Sequence, residues 1–227
     1  EGHLERLQKI KRRSYHPLIH KIHKKHKISR KTLFYIKEYG PKTHVPRTII
    51  KESIKVLLFA SLISSFGGLA LENVKWLFIS IMPLIILLPV LNDMIGDYGT
   101  IIASKFSAML HEVKIKRKWW LEGEIKKLFL QVLIVSVITT ALSVTIAFVL
   151  AYFFRHAVDG LTIAKVAAIS MLDVVLLVSI LFMVAVVAGL HFYKKKEDPN
   201  NFLIPITTSV ADFGNMILLA VLVMIFF

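Results

Sequence analysis

The chain has 227 residues, a formal net charge of +14 and no cysteine, and 56% of its residues are hydrophobic. A mean hydropathy of +0.65 excludes an ordinary soluble domain, and the absence of cysteine excludes disulfides and thiolate metal sites. The apolar residues fall in long runs, so the expected fold is an all-α integral membrane protein with five transmembrane helices per protomer.

Residues 1–51 read as a basic cytoplasmic arm, too charged for a secretory signal. Pro17, Pro41 and Pro46 divide it. Between them, Leu18–Tyr39 mixes apolar and basic residues, as an interfacial helix on anionic lipid headgroups would. His16, His20, His23 and His26 recur there at helical spacing, but Lys21, Lys24, Lys25 and Lys27 surround them and repel cations. A solvated basic face is the expected role, and nucleic acid is not an expected partner.

Residues 52–227 are predicted to form a cation-transport domain. Its spans are read as Ser53–Leu71, Val74–Leu91, Leu128–Phe154, Ile163–Tyr193 and Phe202–Phe227. Pro83 and Pro89, then Gly96 and Gly99, interrupt the second. It is therefore expected to be a broken helix continuing past Gly99, with unwound backbone lining a cavity. The loop Lys105–Lys127 carries Trp119 and Trp120 among its bases, a headgroup-anchoring pattern. Most of the 29 Lys and Arg lie in residues 1–51, 105–127 and 194–199. Alternate connections are thus basic, and the positive-inside rule puts the N-terminus inside and the C-terminus outside.

Four carboxylates, Asp93, Asp97, Asp173 and Asp212, interrupt these apolar runs with no basic partner nearby in sequence. A charge at a helix centre costs roughly 2.5–3.5 kcal/mol on insertion scales and usually faces a bundle interior or a water-filled path. In the last span Thr208, Asp212 and Asn215 follow a four–three spacing, which puts them on one helical face. Pro205 leaves the carbonyl of Asn201 without its helical donor. Asn92, Asp93 and Asp97 are expected as a second cation site at a cytoplasmic pore mouth. Asp173, with Ser170 one turn before it, either serves the same path or accepts hydrogen bonds within the bundle. Asp198-Pro199 is expected to cap the last helix or to shape the loop before it.

With these residues in view, the chain resembles the MgtE-type magnesium transporter family, including its eukaryotic solute-carrier relatives. Gly96-Asp97-Tyr98-Gly99-Thr100-Ile101 stands where that family ends its proline-rich second helix in a Gly-Asn-x-Gly-x-Gln-like segment. Asp198-Pro199, Pro205, Thr207 or Thr208, and Asp212 with Gly214 nearby match its last helix. Asp97 and Ile101 replace the family's Asn and Gln, and Ile204 stands where Asn often precedes the proline. The resemblance spans roughly residues 53–227. It implies that Asp212 is the central ligand of a pore along a dimer axis.

The combined expectation is a divalent-cation channel or transporter in the cell membrane, with Mg2+ as the bound and transported ion. Five helices make a poor closed pore alone, so a homodimer is expected to bring two Asp212 side chains together. The candidate metal residues are Asp212, Asp97, Asp93, Asn92, Thr208, Asn215 and Asp173. Two other readings stay open. One is a proton- or sodium-coupled exporter or exchanger using Asp173. The other is an intramembrane aspartyl protease, since Gly96-Asp97 matches part of a Gly-x-Gly-Asp element and such enzymes need two carboxylates sharing a proton.

Overall fold

The computed structural model describes residues 20, 21, 24, 25, 45–112, 123–154, 158–195 and 198–227. His20 is helical and exposed. The rest of the proposed interfacial helix, the other arm histidines and the Trp119-Trp120 pair lie outside the described residues.

Five long helices make up the bundle: α1 (Val45–Ser80), α2 (Met82–His111), α3 (Gly123–Phe153), α4 (Gly160–Lys195) and α5 (Pro199–Phe226). All five are long and apolar enough to cross a membrane. Helix α1 begins at Val45, and its membrane-length apolar stretch starts at Ser53, as expected. Its far end differs from expectation, since it runs forward to Ser80, through Glu72 and Asn73. Hydropathy marked those polar residues as a connection, but a helix carries them on its exposed side. There Glu72 pairs with Lys75 one turn on, and Asn73 donates to Leu69 O at 3.0 Å. The chain reverses at Ile81 instead.

The second correction concerns α2. It is one helix from Met82 to His111, with no unwound segment between Asn92 and Thr100. Pro83 sits in the first turn, where its missing N–H costs nothing. Pro89 is inside the helix but on an exposed face. Gly99 serves closeness rather than unwinding. A Cβ there would lie 3.2 Å from Thr207 Cβ, so glycine lets α2 approach α5. In lipid there is little hydrophobic drive between helices, and such close contact supplies the association energy.

Helix α5 lies at the centre of the packing, against α1, α2 and α4, while α3 covers α2 and α4. Its buried stripe Leu203, Thr207, Ala211, Asn215 and Leu219 repeats every four residues. Helix α4 presents Ile169, Asp173, Leu177 and Leu181, and α2 presents Leu84, Leu91, Ile95 and Ile102. Helix α1 is peripheral. It buries Ser53, Ala60, Gly67 and Val74, seven residues apart, and exposes most of its larger apolar side chains. A Cβ on Gly67 would lie 2.9 Å from Met216 Sδ and 3.2 Å from Phe213 Cα, so α1 and α5 touch nearly backbone to backbone. They run parallel, since Ser53 meets Asn201 and Ser64 meets Asp212. Asp198 caps α5 as expected, accepting from Asn200 N at 3.0 Å with Pro199 at the helix start.

Candidate cation site

Asp212 is thirteen residues from Pro199 and fourteen from Phe226, which puts it at the middle of α5. At 1.5 Å rise per residue that is about 20 Å from either end, close to mid-membrane depth. Its carboxylate is half-buried. Oδ1 accepts from Asn92 Nδ2 at 2.9 Å, and Oδ2 accepts from Ser64 Oγ at 3.4 Å. Asn92 in turn accepts from Asn215 Nδ2 at 3.0 Å. Three helices thus converge on one carboxylate, and these partners are neutral.

An open groove of about 490 Å³ between α1 and α5 runs past this carboxylate. Ser61, Ser64 and Ser65 line it from α1, and Thr208, Ser209 and Asp212 from α5. Thr208 donates its hydroxyl proton to Ile204 O at 3.0 Å, which leaves its oxygen lone pairs free for a cation or water. Pro205 has the local effect read from the sequence. The carbonyl of Asn201, freed of its helical donor, accepts instead from Ser53 Oγ at 3.3 Å.

The structure regroups the residues singled out in the sequence. Thr208 and Asp212 share the groove wall, but Asn215 turns into the core and is fully buried. Its contribution is to fix the amide of Asn92. Asn92 lies beside Asp212 and donates to it directly, so the structure joins it to that carboxylate. Asp93 and Asp97 are one turn apart on an exposed face of α2, near the helix centre. Asp173 is 0% exposed and is not on the groove. Ser64 went unnoticed in the sequence. Its signal was the Ser61, Ser64, Ser65 spacing, which puts three hydroxyls on one side of an apolar helix. Among the described residues no group of three or more His, Cys, Asp or Glu forms a metal cage. One protomer therefore offers a single carboxylate among amides and hydroxyls. That set suits a hard cation that keeps part of its water shell.

No curated protein and no solved structure matches the chain. A family model described as MgtE, divalent cation transporter, matches residues 88–222, from within α2 to near the end of α5. That match takes in more than half of the chain, including Asn92, Asp212 and Asn215, and the protein belongs to this family of divalent cation transporters.

Proposed function

We propose that the protein conducts Mg2+ through a pathway in which Asp212 is the central ligand and two protomers share a two-fold axis. The observation that carries this reading is the Asp212 carboxylate itself. It stands at mid-membrane depth on the wall of a hydroxyl-lined groove, held by Ser64 and Asn92, with no cationic partner among the described residues. Mg2+ binds oxygen, dehydrates reluctantly and takes one or two carboxylates with retained waters. Asp212, the Thr208 hydroxyl and water supply such a set. Asn92 and Asn215 position the carboxylate.

Asp93 and Asp97 support the homodimer. Both are exposed on a single protomer in the middle of α2. Facing hydrocarbon, each would cost roughly 2.5–3.5 kcal/mol. A second copy, with water between, would turn that cost into a cation-attracting wall. In this reading the basic arm lies on the cytoplasmic leaflet of the cell membrane, with the N-terminus inside and the C-terminus outside. The family is one of transporters, so the protein is not an enzyme, and the protease reading of Gly96-Asp97 is dropped.

The test is ion flux into proteoliposomes, with Mg2+, Mn2+, Co2+ and Na+ compared under set gradients. Asp212→Asn keeps the size and the acceptor but removes the charge. Mg2+ flux should collapse while the protein still inserts and assembles. Undiminished flux in that variant would remove Asp212 from the pathway.

A further inference from the structure

Asp173 takes no part in the groove, yet it is the most anomalous side chain in the bundle. It is 0% exposed, and neither of its carboxylate oxygens has a hydrogen-bond partner among the described residues. Ser170, one turn earlier and equally buried, has an unpartnered hydroxyl as well. The ring contact of Phe129 with Phe182 sets the antiparallel register of α3 on α4. It brings Ser136 and Thr140 to the depth of Asp173. Both are fully buried, but they spend their protons on their own helix, donating to Leu133 O at 2.8 Å and Ser136 O at 2.7 Å.

The charged groups on the surrounding helices are turned away or engaged. On α2, Asp93 and Asp97 are exposed, and Tyr98 shares its hydroxyl with Thr139. On α3, Glu124, Lys126, Lys127 and Tyr152 lie at the ends and are exposed. On α5, Asp212 is bound to Ser64 and Asn92. On α4 itself, Lys165, His191, Tyr193, Lys194 and Lys195 lie at the two ends. A buried carboxylate with no protein donor and no counter-charge beside it neutralises itself by taking a proton. A metal ion would need a shell of oxygen ligands and room for it. A proton needs neither.

We propose that Asp173 is a proton-carrying site inside each protomer, loaded in the closed bundle seen here and emptied when α4 parts from its neighbours during cation transport. This rests on the reading of the chain as a cation transporter and not on Asp212 being the ligand. The neutral acid still leaves its O–H donor and its carbonyl acceptor unmatched in the closed bundle. Opening to water relieves that mismatch, so closure and proton loading are linked. On opening, the O–H bond breaks, the proton passes to water and a carboxylate remains. On closing, a proton is taken up again. Two such protons equal the charge of one divalent cation, so a two-for-one exchange moves no net charge.

The test uses the full chain in liposomes holding a pH indicator and a Mg2+ indicator, under an imposed Mg2+ gradient. Wild type should move protons opposite to Mg2+, and its flux should depend on pH. Asp173→Asn, which mimics the neutral acid but cannot release a proton, should lose both the proton signal and the pH dependence. Wild-type Mg2+ flux without proton movement, or proton movement that survives in Asp173→Asn, would overturn the proposal. If Asp173→Asn transports nothing, the infrared C=O stretch of a buried protonated carboxyl decides. It should be present in wild type at neutral pH, absent in Asp173→Asn and restored in Asp173→Glu, and its absence from wild type overturns the proposal. Asp212→Asn should keep this band even when its flux stops, which tells the failure of one site from the failure of the other.

Discussion

Replacing Asn92 with leucine tests whether the amide chain behind Asp212 acts as a unit. Leucine keeps the branched shape of asparagine, slightly enlarged, and removes its polar atoms. Two hydrogen bonds are lost: the 2.9 Å bond to Asp212 Oδ1 and the 3.0 Å bond from Asn215. A bond to a charged group is worth roughly 1.5–3 kcal/mol in soluble proteins, but polar contacts between membrane helices average about 0.6 and reach about 1.7. Asp212 is a half-buried acid, so about 1–2 kcal/mol is the expected loss of stability. The effect on the ion should be larger. Loss of a group that orients a ligand typically lowers metal affinity about 10- to 100-fold. The assay is the Mg2+ concentration dependence of flux in proteoliposomes, with thermal unfolding measured in detergent. Asn215→Leu should weaken Mg2+ in the same direction, since Asn215 reaches Asp212 only through Asn92. The double variant should then be no worse than Asn92→Leu alone. Additive losses, or an unchanged affinity in Asn92→Leu, would refute the chain.

Gly67→Leu should separate α1 from α5, because even its Cβ would sit 2.9 Å from Met216 Sδ. We expect a loss of about 1–3 kcal/mol by thermal unfolding, with flux reduced as the groove widens. Asp93→Asn combined with Asp97→Asn should lower apparent Mg2+ affinity without changing oligomeric state by light scattering, and unchanged affinity would reduce the pair to surface charges. Single cysteines at residues 105 and 195 of this cysteine-free chain should be labelled from the cytoplasmic side only, and outside labelling of residue 195 would remove a helix from the proposed topology. Asp159 precedes α4 and accepts from Thr162 N at 3.3 Å. The hydrogen bond with Thr162 holds its pKa below the ordinary value of 3.8. Its capping contribution is therefore present at neutral pH and lost as pH falls through that lowered value. Asp159→Asn should flatten this acid limb in a pH series of thermal unfolding.

The five spans were legible because hydropathy over some twenty residues is a strong signal and each helix satisfies its own backbone. The ends were less so. Glu72 and Asn73 interrupt hydropathy without interrupting a helix, whereas Ile81, an apolar residue, marks the turn. Proline and glycine in α2 misled for a related reason. In a bundle, Pro89 can face outward and Gly99 can serve as a spacer against Thr207, and neither role shows in a local pattern. Asp212 stood out because a carboxylate in an apolar run is rare. Its partners did not, since Asn92 and Ser64 are 120 and 148 residues away in sequence and only the packing of α1, α2 and α5 brings them together.

The parallel pairing of α1 with α5 has a consequence for how this chain can change over generations. The contacts of Ser53 with Asn201 and of Ser64 with Asp212 both join residues 148 apart. The two helices are therefore measured against each other like matched rulers. One residue added between Ser53 and Ser64 would turn everything beyond it by about 100° and shift it by about 1.5 Å. Ser64 would leave Asp212, and Gly67 would no longer meet Met216. Descendants of this chain should accept new side chains along that stretch far more readily than any change in its length.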